Sequence, residues 1–132
     1  METDLLALLK RLEPRAERWR RIVRDNGPVR EAVRIYFSEN ADAWLIAWPE
    51  EHWTTPHDHG DSAGAVQVIA GELCEHADVT GEVRTMRAGD VTFIPPGAVH
   101  DVGTRGSVAL SLHVYSPPLT AMNFYDVDAA RA

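Results

Sequence analysis

The chain has 132 residues, of which 45% are hydrophobic and 25% are charged, and its formal net charge at pH 7 is -7. This length suits one domain with one core, which we expect over residues 1–132, and no run approaches the ~20 apolar residues that span a bilayer. The first residues lack the basic and apolar segments of a signal peptide, and the single cysteine, Cys74, excludes an internal disulfide, so we expect a cytoplasmic protein with no membrane partner.

The charge is unevenly distributed along the chain. Residues 1–34 carry nine basic and six acidic groups, whereas residues 35–132 carry four basic and fourteen acidic ones. The basic residues resemble a nucleic-acid-binding surface, but Glu13 and Glu17 are interleaved with them at helical spacing. The acidic remainder of the chain would also repel a polyanion. We therefore expect a solvated helix face and no nucleic-acid partner.

Helices are predicted in the N-terminal part of the chain. Leucines recur at the helical period in residues 4–12, which predicts a short amphipathic helix. Pro14 suits the first turn of a second helix over residues 14–25, and Asn26-Gly-Pro would end it. We expect residues 1–30 to form a helical cover over one side of the remaining chain.

From residue 32 the pattern changes to short segments rich in valine, isoleucine and aromatic residues, separated by turn residues. The predicted strands are 33–37, 43–48, 65–70, 72–79, 82–87, 91–94, 99–103, 107–115 and 122–127, with a tight turn at Gly71. Many short strands of this kind are typical of an antiparallel sandwich or barrel. The predicted fold class is mostly β, with a barrel or sandwich over residues 31–132 and two or three N-terminal helices.

Three histidines predict a metal site. His57 and His59 lie two residues apart, so on extended backbone both imidazoles project from the same face. His100 begins the strand after a Pro-Pro-Gly turn, and a barrel of hairpins would bring it opposite the pair. Three neutral imidazoles can bind a divalent transition metal and leave about three positions open, whereas a closed zinc site needs four ligands, usually with cysteines. The spacing predicts an open site but does not fix the metal.

These histidines lie in two stretches that resemble the two motifs of the cupin superfamily, which implies a cupin-type jelly-roll barrel. The second motif matches at its glycine, proline, glycine and histidine positions, which are Gly89, Pro95, Gly97 and His100. The first keeps His57-X-His59 and a closing Gly71, but it has Gly64 where most cupins have a glutamate ligand. The missing glutamate points to the thiol dioxygenases, whose iron is held by three histidines.

Further residues make the chain similar to cysteine dioxygenases of bacterial type. The segment Ser111-Leu-His113-Val-Tyr115 resembles the Ser-His-Tyr relay of that family, and Trp48 stands where the family has tryptophan. The three relay residues alternate along one strand and therefore share a face. The resemblance implies that Tyr115 contacts the substrate while His113 and Ser111 orient it. A buried polar stripe with only a structural role is the alternative.

The resemblance also suggests how a substrate carboxylate is bound. Arg34 aligns with the carboxylate-binding arginine of the family if the loop between it and Trp48 is shortened by three residues. A guanidinium forms paired hydrogen bonds with a carboxylate in a way that few other groups can. Arg30 is the competing candidate. A cis peptide bond between Ser116 and Pro117 is implied as well.

Taken together, the resemblance implies an Fe(II) enzyme that oxidises L-cysteine with O2 to cysteine sulfinic acid and acts as a monomer or weak homodimer. Three alternatives stay open at the level of the sequence. One is a dioxygenase for 3-mercaptopropionate or another small thiol, since such enzymes have glutamine in place of the arginine sought at Arg34. The others are a non-catalytic metal-binding cupin that senses a ligand, and an isomerase or decarboxylase that uses zinc, manganese or nickel.

Overall fold

A computed structural model describes residues 2–19, 30–76 and 82–125. In order, its elements are α1 (Glu2–Glu17), β1 (Glu31–Phe37), β2 (Asp42–Trp48), β3 (Glu51–Trp53), β4 (His57–Asp58), β5 (Ala63–His76), β6 (Arg84–Arg87), β7 (Val91–Ile94), β8 (Asp101–Arg105), β9 (Ala109–Ser116) and β10 (Asn123–Phe124). The mostly β content is therefore confirmed. The helix in the described part of the chain is neither long nor apolar enough to cross a bilayer.

One helix occupies residues 2–17, where the sequence predicted a break at Pro14. That prediction was wrong, because Pro14 lies inside α1. A proline within a helix removes a hydrogen bond, but burial of a continuous apolar face outweighs this local cost. The buried face continues across the proline and consists of Leu5, Leu9, Leu12 and Ala16. The rest of the second predicted helix, from residue 20 onward, lies outside the described residues.

The main sheet is antiparallel and has the strand order β1-β2-β9-β5-β8-β3, with β6 and β7 also paired to β5. The predicted strands 65–70 and 72–79 are a single strand, β5, as far as residue 76. Gly71 lies within this strand at φ 75° instead of forming a turn. A Cβ atom there would lie 2.1 Å from the carbonyl oxygen of Val108, so the close approach of β5 and β9 requires glycine.

Strand β9 is buried on both of its faces. Leu110, Leu112 and Val114 belong to the core cluster that also contains the buried residues of α1. The alternate side chains point to the interior of the curled sheet, where a second apolar cluster includes Trp48 and Val66. The polar residues of β9 therefore face an enclosed space.

Two short strands, β4 and β10, form a separate two-stranded sheet near the end of the described chain. The predicted strand 122–127 is confirmed at Asn123–Phe124 only, and residues 126 and 127 lie outside the described part. β3 and β4 were not predicted, because two or three residues are too few to show an alternation. The Ser116–Pro117 peptide bond is cis, as the resemblance implied.

Candidate metal centre

The structure brings the three histidines together. His57 and His100 form an isolated antiparallel bridge, with N–H to O=C hydrogen bonds of 2.9 Å in both directions. His59 follows two residues after His57, and one ring nitrogen from each residue lies within 4.8 Å of the other two. All three side chains are buried. The cluster could therefore hold a metal ion.

Hydrogen bonds fix which nitrogen of two rings is available. Nδ1 of His57 lies 2.7 Å from the carbonyl oxygen of Thr55, and Nδ1 of His100 lies 2.9 Å from Oε2 of Glu75. A carbonyl and a carboxylate only accept, so each Nδ1 donates a hydrogen and Nε2 of a neutral ring keeps its lone pair. Nε2 of His100 and Nδ1 of His59 are buried without a hydrogen-bond partner among the described residues. Such orphaned nitrogens are unfavourable unless something binds them, so the donor set fits a divalent metal.

The surroundings favour neutral imidazoles. Burial lowers the pKa of His57. Burial, with the nearby His100 and His57, brings the pKa of His59 down to about 3. A neutral ring is the form that binds a metal, so no proton has to be displaced from these two side chains at neutral pH.

The histidines open onto a cavity of about 290 Å³, which is at the lower end of the range for small-molecule sites. No aspartate or glutamate lines it among the described residues. Its lining is formed by Arg30, Ala32, Trp44, Ile46, Trp48, Thr54, His57, His59, His100, Val102, His113, Tyr115, Leu119, Met122 and Phe124. The cavity therefore suits a small ligand with an anionic group.

A chain of hydrogen bonds runs along β9 to the cavity. Nε1 of Trp48 donates to Oγ of Ser111 at 2.9 Å, and Oγ of Ser111 lies 2.7 Å from Nε2 of His113. Nδ1 of His113 lies 3.5 Å from the hydroxyl oxygen of Tyr115. Because the Ser111 hydroxyl has only His113 as acceptor among the described residues, His113 keeps its hydrogen on Nδ1 and directs it to Tyr115. The hydroxyl hydrogen of Tyr115 is then left for a ligand in the cavity.

Burial keeps the side chains of His113 and Tyr115 neutral. It lowers the pKa of His113 well below its ordinary value and raises the pKa of Tyr115. Gly64 lies opposite Tyr115 in the β5–β9 register, and a Cβ atom there would lie 3.1 Å from Cε1 of the Tyr115 ring. The absence of a side chain at Gly64 therefore gives this ring its room.

The two candidate arginines lie in different places. The exposed side chain of Arg34 lies over the rings of Phe37 and Trp44, with its Cζ atom 4.7 and 5.8 Å from their centroids, and it does not line the cavity. Arg30 does line it, with Cζ 4.8 Å from the centroid of the Trp48 ring. Its Nε is buried without a hydrogen-bond partner among the described residues, and burial lowers its pKa.

The structure therefore favours Arg30 over the predicted Arg34 as the guanidinium of the cavity. Arg34 pairs with the cavity-lining Trp44 in the β1–β2 register, but its guanidinium lies against the rings of Phe37 and Trp44 and its side chain is exposed.

A segment that the sequence did not predict as functional covers the cavity mouth. We call residues 117–125 the strap. It contributes Leu119, Met122 and Phe124 to the lining. Asp58 anchors it by accepting hydrogen bonds from the Tyr125 hydroxyl at 2.5 Å and the Asn123 amide at 2.9 Å. These bonds, that of Tyr125 first, lower the pKa of Asp58 to about 2.

Glu75 also has a role that the sequence did not predict. It lies on β5, and its carboxylate contacts both His100 and Arg84. An acidic residue two positions after the buried Leu73, on the same face of a predicted strand, was the available signal.

The chain is similar to a known protein family and to several solved structures. The model of the family described as cysteine dioxygenase type I matches residues 2–128. Among solved structures, a conserved protein with a double-stranded β-helix domain from Klebsiella pneumoniae subsp. pneumoniae has a TM-score of 0.67 at 19% identity, covering 76% of this chain and 87% of that one. DMSP lyase DddQ from Ruegeria pomeroyi has a TM-score of 0.65 at 20% identity, over 72% of this chain and 51% of that one.

A cupin superfamily protein from Desulfitobacterium hafniense has a TM-score of 0.59 at 12% identity, over 67% of this chain and 77% of that one. At these identities the likeness shows the fold alone. The cupin-type fold that the sequence predicted is confirmed.

Proposed function

Because the chain belongs to the cysteine dioxygenase type I family, we propose that it is an Fe(II)-dependent dioxygenase that oxidises L-cysteine to cysteine sulfinic acid and adds both atoms of O2 to the sulfur. The observation that carries this proposal is the buried cluster of three histidines, which opens onto a small cavity containing the guanidinium of Arg30.

The ligand set suits a thiol substrate. Iron held by His57, His59 and His100 would supply a redox-active Lewis acid for a thiolate and O2. Three neutral imidazoles add no negative charge to a dication, which favours an anionic sulfur ligand and lowers the pKa of the thiol. About three positions stay open for the substrate and O2.

Two groups in the cavity would hold the rest of the substrate. Arg30 can donate to the substrate carboxylate, because its buried Nε has no hydrogen-bond partner among the described residues. Tyr115 can donate its hydroxyl hydrogen to the substrate, because Nδ1 of His113 carries a hydrogen of its own and donates it to the Tyr115 oxygen. Trp48 and Ser111 maintain that direction of donation through the hydrogen bonds along β9.

One observation favours a second substrate, 3-mercaptopropionate. No carboxylate lines the described cavity, so the wall offers no counter-ion to the ammonium group of cysteine. Cysteine would therefore have to bind there as the free amine, without an ammonium charge. A thiol acid without an amine makes no such demand, while its carboxylate would still reach Arg30.

An oxygen-electrode assay of the iron-loaded protein tests the proposal. L-cysteine, 3-mercaptopropionate and cysteamine are compared, and the sulfinic acid products are identified by mass spectrometry. We expect oxygen uptake with cysteine in a 1:1 ratio to the sulfinate, and weak uptake with cysteamine, which lacks the carboxylate. Turnover of 3-mercaptopropionate alone would establish the second substrate instead. No oxygen uptake with any small thiol would refute the proposal and leave a binding or isomerising cupin.

A further inference from the structure

We propose that Glu75 is a positioning residue for the metal: it fixes the orientation of His100 and supplies, one residue away from the ion, the negative charge that the three histidines lack. This inference rests on the proposed metal site. Oε2 of Glu75 lies 2.9 Å from Nδ1 of His100, and the opposite nitrogen of that ring, Nε2, is the buried atom without a partner among the described residues.

The bond determines the form of the ligand. A carboxylate can only accept, so Nδ1 of His100 carries the hydrogen and the lone pair of Nε2 is directed away from Glu75. His57 is held in the same way, but by the neutral carbonyl oxygen of Thr55 at 2.7 Å. His100 thus differs from His57 in having an anionic partner. Such a partner makes an imidazole a stronger donor to a metal and fixes the plane of its ring.

The carboxylate is buried and fully engaged. The side chain of Glu75 is 3% exposed, and its second oxygen accepts from Nη2 of Arg84 at 2.7 Å. Arg84 is the cross-strand partner of Glu75 in the β5–β6 register and also donates to Thr92. Both oxygens therefore accept a hydrogen bond from a side-chain nitrogen, which offsets the cost of burying a carboxylate.

Arg84 and His100 contact Glu75 in different surroundings. The Arg84 side chain is 54% exposed, whereas the carboxylate and the His100 ring are enclosed. On the enclosed side, Glu75 can act on a bound dication through the His100 ring without occupying any of the coordination positions that the substrate needs.

Metal binding by Glu75→Gln tests the inference without any measurement of turnover. Affinities for Co(II) and Zn(II) are measured by competition with a chromogenic chelator, and the visible spectrum of the Co(II) form reports the ligand geometry. Glutamine keeps the shape of the side chain but removes its charge, and we expect about 10- to 100-fold weaker binding of both ions, with a changed Co(II) spectrum. Glu72→Gln is the matched control on the same strand, since it loses only the exposed ion pair with Arg87, and its affinities should stay within about twofold of wild type.

The outcomes separate this inference from the proposed function. Wild-type affinities and an unchanged spectrum in Glu75→Gln would overturn the inference and leave the proposed function standing. A wild-type protein that binds neither ion would overturn both. If Glu75→Gln does not fold by circular dichroism, Glu75→Asp replaces it, because aspartate keeps a charge beside Arg84 but withdraws the carboxylate from His100. The same loss of affinity is then expected, and its absence again overturns the inference.

Discussion

The floor and the mouth of the cavity are built on different principles. The floor consists of the three histidines and the hydrogen-bonded residues of β9, all of them buried. The β9 residues are held by backbone pairing in the main sheet, and His57 and His100 by their bridge. We call the part of the lining formed by Arg30 and the strap the mouth. In the strap, the side chain of Phe124 is 63% exposed and belongs to a two-residue strand, β10. This difference indicates that the chemistry depends on the rigid interior, whereas the choice of substrate depends on segments that few contacts restrain.

The largest effect is expected at the floor, from His100→Ala. Two imidazoles remain, and the metal content and oxygen uptake of the purified protein should both fall below detection, because the loss removes a third of the ligands. Metal analysis and the oxygen electrode measure the two effects. His52→Ala is the control, since this histidine does not line the cavity, and it should retain its metal. Full metal content in His100→Ala would show that the ligand set is a different one.

The next largest effect is expected from a floor residue that does not bind the metal, Tyr115. Tyr115→Phe removes the hydroxyl that the relay directs to the ligand, and we expect kcat to fall by about 10²- to 10⁴-fold with metal content unchanged. Tyr36→Phe changes the same group on the outer strand β1 and should keep the wild-type kcat. A wild-type kcat in Tyr115→Phe would assign the polar stripe of β9 a structural role only.

Substitutions at the mouth should change KM more than kcat. Arg30→Gln removes a charge-assisted hydrogen bond worth about 1.5–3 kcal/mol, so KM for a carboxylate-bearing thiol should rise roughly 10- to 150-fold. Arg34→Gln should change it by less than about twofold, because water screens its exposed side chain. Cysteamine kinetics should be insensitive to both substitutions. A larger KM effect for Arg34→Gln than for Arg30→Gln would assign the carboxylate site to Arg34.

The smallest effect is expected in the strap. Phe124 contributes an exposed ring to the cavity lining, and Phe124→Ala should lower kcat/KM for cysteine by less than about tenfold while improving it for bulkier thiols. Phe37→Ala, which removes an equally exposed ring from β1, should leave this preference unchanged. A large loss of kcat for cysteine in Phe124→Ala would instead show that the strap contributes to the chemical step.

The sequence could predict the residues that strand alternation places, but not those placed by tertiary contacts. The positions of His57, His59 and the relay residues follow from the alternation of side chains along a strand, which is a local property of the backbone. The placement of Arg30 depends on its tertiary contact with the Trp48 ring, and the contact between Glu75 and His100 joins residues that are 25 positions apart in the sequence. Neither feature leaves a periodic signal. Pro14 and Gly71 were misjudged for a similar reason, because tertiary packing overrides the local preference of proline to start a helix and of glycine to make a turn.

The burial of β9 on both faces also bears on the motions of the protein. Its apolar side chains pack beneath α1 and its polar ones face the cavity, so the relay cannot open without disrupting both core clusters. Amide hydrogens between Leu110 and Val114 should therefore exchange with solvent only when the whole domain unfolds, whereas those of the strap should exchange by local opening. The catalytic strand would then be the slowest-exchanging part of the molecule, and thermal unfolding and loss of the active site would be one cooperative event.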